Sequence, residues 1–346
     1  MSASPHTPAQ PMPPLDVIVV GAGALGLATA AELTARGHSV AVIDPGGDNA
    51  SSVAAGMIAP AFESALEGLD DDGAVLLRSA RAIWPTFAAR HGIVLHEDGA
   101  LWCGPDREAM AVRLKGLGFD CQHTDDGVLA PLDARLSPVR ALAALSGHVT
   151  VVRAEVRAIR RLGVSLWCVD EQWTARHLVI ATGHGCAIEG LPPLARTAMS
   201  PVVPIKGQIV MVQGAPVPRT VRGPGIYLVP GDGHTMIGAS MEEGAEDKVA
   251  DPAVTRSLLE RAEALTGQSL TGLVHSARCG VRAAMPDRLP LAGHVEQGLC
   301  LALAPRRNGW LLAPAVAGTV ADAIEQRPPG PFSQAFNPLR SFHVEP

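Results

Sequence analysis

The chain has 346 residues, 47% of them hydrophobic and 18% charged, which excludes a disordered polymer and leaves room for about two domains with substantial cores. Its 28 Lys+Arg against 34 Asp+Glu give a net charge of −6 with no basic run, so nucleic acid and anionic membranes are poor partners. The cysteines are scattered without C-x-x-C spacing, which argues against a zinc site or a disulfide framework and suits a reducing cytoplasm.

Residues 1–14 (MSASPHTPAQPMPP) lack the basic start and apolar centre of a signal peptide and read as a loose tail. Residues 17–20 (VIVV) then form a continuous apolar strand of the kind buried on both faces. Gly21, Gly23 and Gly26 follow as G-x-G-x-x-G, with Ala22, Ala24 and Leu25 between them. Gly21 permits the turn, Gly23 lets backbone N–H groups approach a pyrophosphate, and Gly26 lets the following helix pack close to the strand. A second strand, 40–43, ends at Asp44, roughly 20 positions on, where an acid can accept from a ribose diol. Strand, turn, helix, strand and acid together indicate a dinucleotide site, NAD or FAD in preference to a 2′-phosphorylated cofactor. The apolar run 17–31 is too short and too glycine-rich to span a bilayer.

Residues 49–61 (NASSVAAGMIAPA) are small enough for their backbone to lie against something large and flat. The spacing of Leu76, Leu77, Ala80 and Trp84 predicts a helix over 70–91, kinked or ended by Pro85 and opened by a solvated Asp70-Asp71-Asp72 cap. Residues 92–103 read as a strand pair turning at Glu97-Asp98-Gly99. A helix at 106–117, a loop to Pro131 and a short helix at 137–145, capped by Ser137 with Pro138 at its first position, come next. After a strand at 150–152, the segments 156–160, 165–169 and 172–175 read as a three-stranded meander. A buried strand at 178–181 ends in Thr182-Gly183, where ligands bind at the carboxyl edge of such sheets. The Pro-rich stretch 191–204 reads as a crossing between domains. Strands at 209–212, 226–229 and 235–239, with a Gly231-Asp232-Gly233 turn, precede a helix at 251–266, a strand at 299–303 and an Ala-rich closing helix at 311–324.

Three late segments set arginine among glycine and proline: Gly280-Val281-Arg282, the run around Arg288, and Arg306-Arg307-Asn308-Gly309. An arginine fork binds a carboxylate through two parallel bonds, although arginines so placed also cap carbonyls at a surface. Tyr227, the single tyrosine, lies mid-strand on the face opposite Ile226 and Leu228, as a substrate group or a half-buried strand aromatic. The histidines form no H-x-x-x-H pair, so no metal is expected, and no G-x-S-x-G or nucleophile–base pair is present. A bound cofactor must therefore carry the chemistry.

The pieces VIVVGAGALGLA, SSVAAGMIAP, HLVIATG, PIKGQ, GIYLVP, IGASME, GVRAAMPDRLPLAG and RRNGWLLAPA, in this order, resemble the glycine oxidase branch of the FAD-dependent D-amino acid oxidase family. The resemblance covers most of the chain and implies FAD. It implies an α/β fold in which a Rossmann-like FAD-binding domain of the glutathione-reductase type (15–75, 137–200 and 278–330) is interleaved with an α+β substrate domain built on an antiparallel sheet (76–136 and 201–277). By the same resemblance Ser51, Ser52, Ala54, Ala55, Gly56 and Met57 lie along the flavin. Val156, on the first meander strand, meets the adenine, and Ala181, Thr182 and Gly183 pass the cofactor. Arg282 grips the substrate carboxylate with Tyr227 beside it, Met241 lines the substrate cavity, and Arg307 is followed along the flavin by Asn308, Gly309, Trp310 and Leu311. The chain departs from the family at Ala304-Pro305, where Gly-His is usual, at Ala283, where proline is usual, and at Trp310, where a small aliphatic residue is usual.

The activity implied is oxidative deamination of a small amino acid or amine, with glycine, sarcosine and small D-amino acids all open. Hydride passes from the substrate Cα to the flavin, and water converts the imino acid to an oxo acid and ammonia. No side-chain base is needed, in keeping with the absence of an obvious one, and catalysis is chiefly positioning. Oxygen, giving hydrogen peroxide, is the expected electron acceptor, since no membrane anchor is evident. An amine dehydrogenase passing electrons to a quinone or partner, an NAD-linked dehydrogenase, and a flavin-holding protein without turnover are the alternatives. Homo-oligomers, often tetramers, and thiamine-precursor supply are the family's usual context.

Overall fold

The structure is a computed structural model that describes residues 13–185, 187–214 and 217–341. Almost all of the expected 1–14 tail, and Cys186, lie outside the described residues. Strand Leu15–Val20 pairs in parallel with Val40–Asp44 on one side and Trp173–Ile180 on the other. Thr150–Arg153 and Leu299–Leu303 extend this parallel core at its two edges, and Leu291–Glu296 runs antiparallel to Leu299–Leu303. Alternation divides the first strand between two cores. Val17 and Val19 pack with helices Ala24–Ala35, Asp71–His91 and Gly309–Ile324, whereas Ile18 and Val20 face the meander and helix Pro193–Met199.

In the second sheet, Val203–Gln213 lies between Val274–Ala284 and His234–Gly238, both antiparallel to it. Ile226–Pro230, Thr220–Gly223, Ala100–Trp102, Val128–Ala130 and Gln122–His123 follow, with one parallel pair at Thr220–Gly223 and Ala100–Trp102. Ile226 and Leu228 pack beneath helix Pro252–Thr266 through Leu258 and Leu259. Tyr227 and Val229, on the other face, meet Val53 and Ala55 from the segment after the second strand. The sheet therefore presents Tyr227 to the first half of the molecule, as its alternation requires.

Several local expectations need correction. Leu95–His96 and Ala100–Trp102 do not form a hairpin: the first pairs with Ala134–Leu136 and the second with Val128–Ala130. The residues of the expected turn are used elsewhere, because Glu97 binds Arg81 and Asp98 binds Arg135. The third meander strand and the buried strand are one strand, Trp173–Ile180, antiparallel to Trp167–Val169 in its first half and parallel to its other neighbours. Val156 precedes the first meander strand, which is Ile159–Arg161. Helix Asp71–His91 runs through Pro85, since Trp84, Phe87 and Ala88 are buried on both sides of it and tertiary packing outweighs the lost hydrogen bond. Ser137 stands at a helix N-cap without making a side-chain cap. The expected loop to Pro131 contains two short strands, and the 191–204 crossing contains helix Pro193–Met199.

Candidate active site

Strand Leu15–Val20 must turn beside Ala181. Gly21 has φ +111°, and a Cβ on it would stand 2.4 Å from the Ala181 carbonyl oxygen. A Cβ on Gly26 would stand 2.0 Å from the Gly21 carbonyl oxygen, so helix Ala24–Ala35 approaches the strand only because position 26 is bare. Packing thus explains these two glycines. Gly23 meets nothing closer than Ser51 Oγ at 3.4 Å and leaves the helix N-terminus facing a cavity. Asp44 accepts from Ala22 N and Gly46 N, both at 2.7 Å, and Ser51 Oγ accepts from Ala24 N at 2.9 Å. Ser51 is held in a short helix, Ala50–Val53, capped reciprocally by Asn49 and Ser52.

These groups line one cavity of about 520 Å³. Gly21, Ala22, Gly23, Ala24, Leu25, Asp44, Ser51, Ala54, Val156, Ala181, Thr182, Gly183, Gly309 and Trp310 form its wall, and Arg282, Arg306 and Arg307 close one end. Other sequence candidates stand behind the wall. Gly26 and Gly56 are packing glycines, the latter at φ +75° with a Cβ that would meet the Leu136 carbonyl oxygen at 2.2 Å. Ser52 caps its helix, Asn308 occupies the N-cap of Gly309–Ile324, and Ala55 and Met57 pack around Tyr227. Leu311 is buried in the core, its carbonyl accepting from Trp84 Nε1 at 3.0 Å. Trp310 Nε1 donates to the Ser51 carbonyl at 3.1 Å, which ties the closing helix to the Ser51 segment.

The two candidate arginines differ in electrostatic environment. Arg307 is held by Glu67 Oε1 at 2.6 Å and Glu63 Oε2 at 3.4 Å. The Arg282 side chain makes no hydrogen bond or ion pair with a described residue, and its Nη1 is buried. Burial pulls the Arg282 guanidinium below its ordinary pKa and pushes the Tyr227 phenol above its own. Tyr227 is 8% exposed, and its hydroxyl has no partner among the described residues. Met241 is exposed, with Sδ 3.9 Å from Arg307 Nη1. A half-buried, unpaired cation beside a free phenol is completed by an anion in the cavity.

Sequence reasoning missed the carboxylates that organise this end of the cavity. Glu63 and Glu67, one helical turn apart at helix Pro60–Leu66, gather Arg222, Arg307, Arg306 and Arg288 between them. Burial pushes the Glu63 carboxyl up, but Arg307 and Arg222 together hold it below the usual range. Asp133 is fully buried and accepts from Ala61 N at 2.8 Å, and burial pushes its pKa up to about 7. The E-x-x-x-E spacing in FESALEG was the available signal.

Residues 16–323 match the profile of the DAO family, described as FAD dependent oxidoreductase. The chain belongs to this family. Glycine oxidase of Geobacillus kaustophilus is 30% identical over 355 residues, which cover 90% of this chain and 93% of that protein. The crystal structure of glycine oxidase from Geobacillus kaustophilus superposes with a TM-score of 0.80 at 29% identity, covering 95% of this chain and 99% of that one. The bifunctional protein ThiO/ThiG of Synechocystis is 29% identical over 365 residues, which cover 94% of this chain and 54% of that protein, so the chain spans about half of its length. The protein is thus an FAD-dependent oxidoreductase, and its FAD domain is Rossmann-like. The cavity fits this cofactor. It offers a helix N-terminus for the pyrophosphate, a fixed carboxylate at Asp44 for the ribose, and a long wall of small residues for the ring. Among the described residues, no group of three or more His, Cys, Asp or Glu is placed to hold a metal, and no helix is long and apolar enough to cross a membrane.

Proposed function

We propose that this oxidoreductase catalyses oxidative deamination of a small amino acid or amine, in the range of glycine, sarcosine and small D-amino acids, giving an oxo acid, ammonia (methylamine from sarcosine) and hydrogen peroxide. The observation that carries this reading is Arg282: a half-buried guanidinium with no hydrogen-bond or ion-pair partner among the described residues, lining the cofactor cavity. Its fork takes the substrate carboxylate through two parallel charge-assisted bonds, and the free Tyr227 hydroxyl donates to the same group. Bound FAD supplies the two-electron acceptor for the hydrogen leaving the substrate Cα. Glu63 is engaged by two guanidinium groups and is not a free base, in keeping with chemistry that requires no proton abstraction at Cα. The work of the chain is orientation of the substrate between these two side chains. The five described cysteines are free thiols, which supports a reducing, cytoplasmic setting.

Arg282→Ala forfeits charged hydrogen bonds of about 1.5–3 kcal/mol, roughly ten- to two-hundredfold in kcat/KM. Anaerobic mixing with small amino acids and amines, followed by flavin absorbance, measures this directly. Bleaching of the variant at the wild-type rate would refute the assignment. Peroxide formed in step with substrate consumed supports oxygen as acceptor, whereas turnover with dyes or quinones alone assigns a dehydrogenase.

A further inference from the structure

Arg282 and Tyr227 stand on strands separated by two others. Val274–Ala284, Val203–Gln213, His234–Gly238 and Ile226–Pro230 lie side by side in that order. Arg282 reaches inward over Gly207, and Tyr227 reaches inward over Gly238, its register partner. A Cβ on Gly207 would stand 2.2 Å from Arg282 Nη1 and 2.5 Å from Nη2. A Cβ on Gly238 would stand 2.5 Å from Tyr227 Oη and 2.6 Å from Cζ. Neither glycine has a left-handed φ. Mid-strand glycine weakens a sheet and marks close approach of something to the backbone. Gly280, in register with Gly207, has an ordinary packing partner, Ala50 Cα at 3.1 Å. The nearest atoms to Gly207 belong to the Arg282 guanidinium, and those to Gly238 belong to the hydroxyl end of the Tyr227 ring.

We infer that Gly207 and Gly238 are positioning residues for substrate binding. Their bare backbone lets the Arg282 fork and the Tyr227 hydroxyl lie flat on the sheet and face each other over the two inner strands. This rests on the proposed role of Arg282. The obstacle to an added methyl at position 207 is the tip of a long side chain, so the protein accommodates it by swinging the guanidinium away and not by unfolding. Activity and carboxylate affinity are lost while the fold and the cofactor are kept.

The test uses FAD-loaded Gly207→Ala and Gly238→Ala, alone and combined with Arg282→Ala. Propionate, a carboxylate without an oxidisable amine, is titrated calorimetrically into each, and kcat/KM is measured with the best amino acid substrate. Displacement of the fork by about 1 Å is expected to cost Gly207→Ala about a hundredfold in kcat/KM. Propionate binding should weaken in step, with unchanged FAD content and melting temperature. On the Arg282→Ala background, adding Gly207→Ala should change little, because the two act as one unit. Equal losses on both backgrounds, wild-type propionate binding by Gly207→Ala, or loss of its folding transition would each overturn the inference. If Gly207→Ala is silent while Arg282→Ala is impaired, the inference fails and the proposed function stands. Full activity of Arg282→Ala removes both.

Discussion

Glu63 Oε1 lies 2.8 Å from Arg222 Nη2, and neither side chain is more than 6% exposed. Arg222 is the register partner of Tyr227, so this ion pair sits on the substrate face of the second sheet. Removing one member of such a pair leaves an uncompensated buried charge. Glu63→Ala is expected to lose about 3–5 kcal/mol at neutral pH, read by urea denaturation, with Glu63→Gln milder. The Glu63 pKa is lowered in the fold, so its contribution is present above the ordinary value of 4.5 and is lost as pH falls through the folded value. The penalty of Glu63→Ala should therefore shrink in acid, and a pH-independent penalty would contradict the pairing.

Asp133 behaves in the opposite sense. Burial raises its pKa from 3.8 to about 7, so the folded state holds a proton that the unfolded state releases. Its contribution is complete below pH 3.8 and declines as pH rises to about 7. Asp133→Asn should abolish this component of the stability–pH curve and gain relative to wild type on passing from pH 4 to pH 8. Parallel curves for the two proteins would place the proton elsewhere.

Ala304 adopts φ +56° and Arg306 φ +51°, two left-handed non-glycine residues within three positions. The residue usual in the family at 304 is glycine, which carries no Cβ penalty there. Ala304→Gly relieves about 1–2 kcal/mol of strain and returns about 0.4–1 kcal/mol in chain entropy. A net stabilisation below about 1.5 kcal/mol is expected by thermal melting. A destabilised variant would show that the loop is held by the methyl group.

Trp310 stands where relatives usually have a small aliphatic residue, and its indole N–H is bound to the Ser51 carbonyl. Trp310→Leu removes this tie between two parts of the cofactor wall. FAD titration by fluorescence should show a Kd raised about fivefold or more, from the loss of a hydrogen bond of about 1 kcal/mol and its packing. An unchanged Kd would make the indole a filler only.

The cofactor half was legible because its determinants are local. Strand, turn, helix and Asp44 lie within one contiguous stretch, and Gly26 answers a contact inside it, whereas the close neighbour of Gly21, Ala181, comes from a distant strand. Tyr227 was placed on the correct face by alternation alone. Strand Val274–Ala284 was not legible, because VHSARCGVRAA mixes polar and small residues and owes its conformation to ten paired positions with Val203–Gln213 and not to apolar patterning. The distinction between Arg282 and Arg307 was likewise hidden. Both sit in similar Gly- and Pro-containing contexts, and only the arrival of Glu63 and Glu67 neutralises one of them. The false hairpin at 97–99 had suitable turn chemistry, but its acids were recruited by Arg81 and Arg135 from other segments.

The end of strand Val274–Ala284 is also fastened to the other sheet. Arg306 N donates to the Ala283 carbonyl at 2.9 Å, and Ala284 bridges Pro305. The strand that carries Arg282 and the 305–307 loop that lines the cofactor cavity are therefore sewn together by main chain within two residues of Arg282. The spacing between the two segments is a constant of the peptide scaffold at this seam, so exchanging side chains around it leaves the walls where they stand.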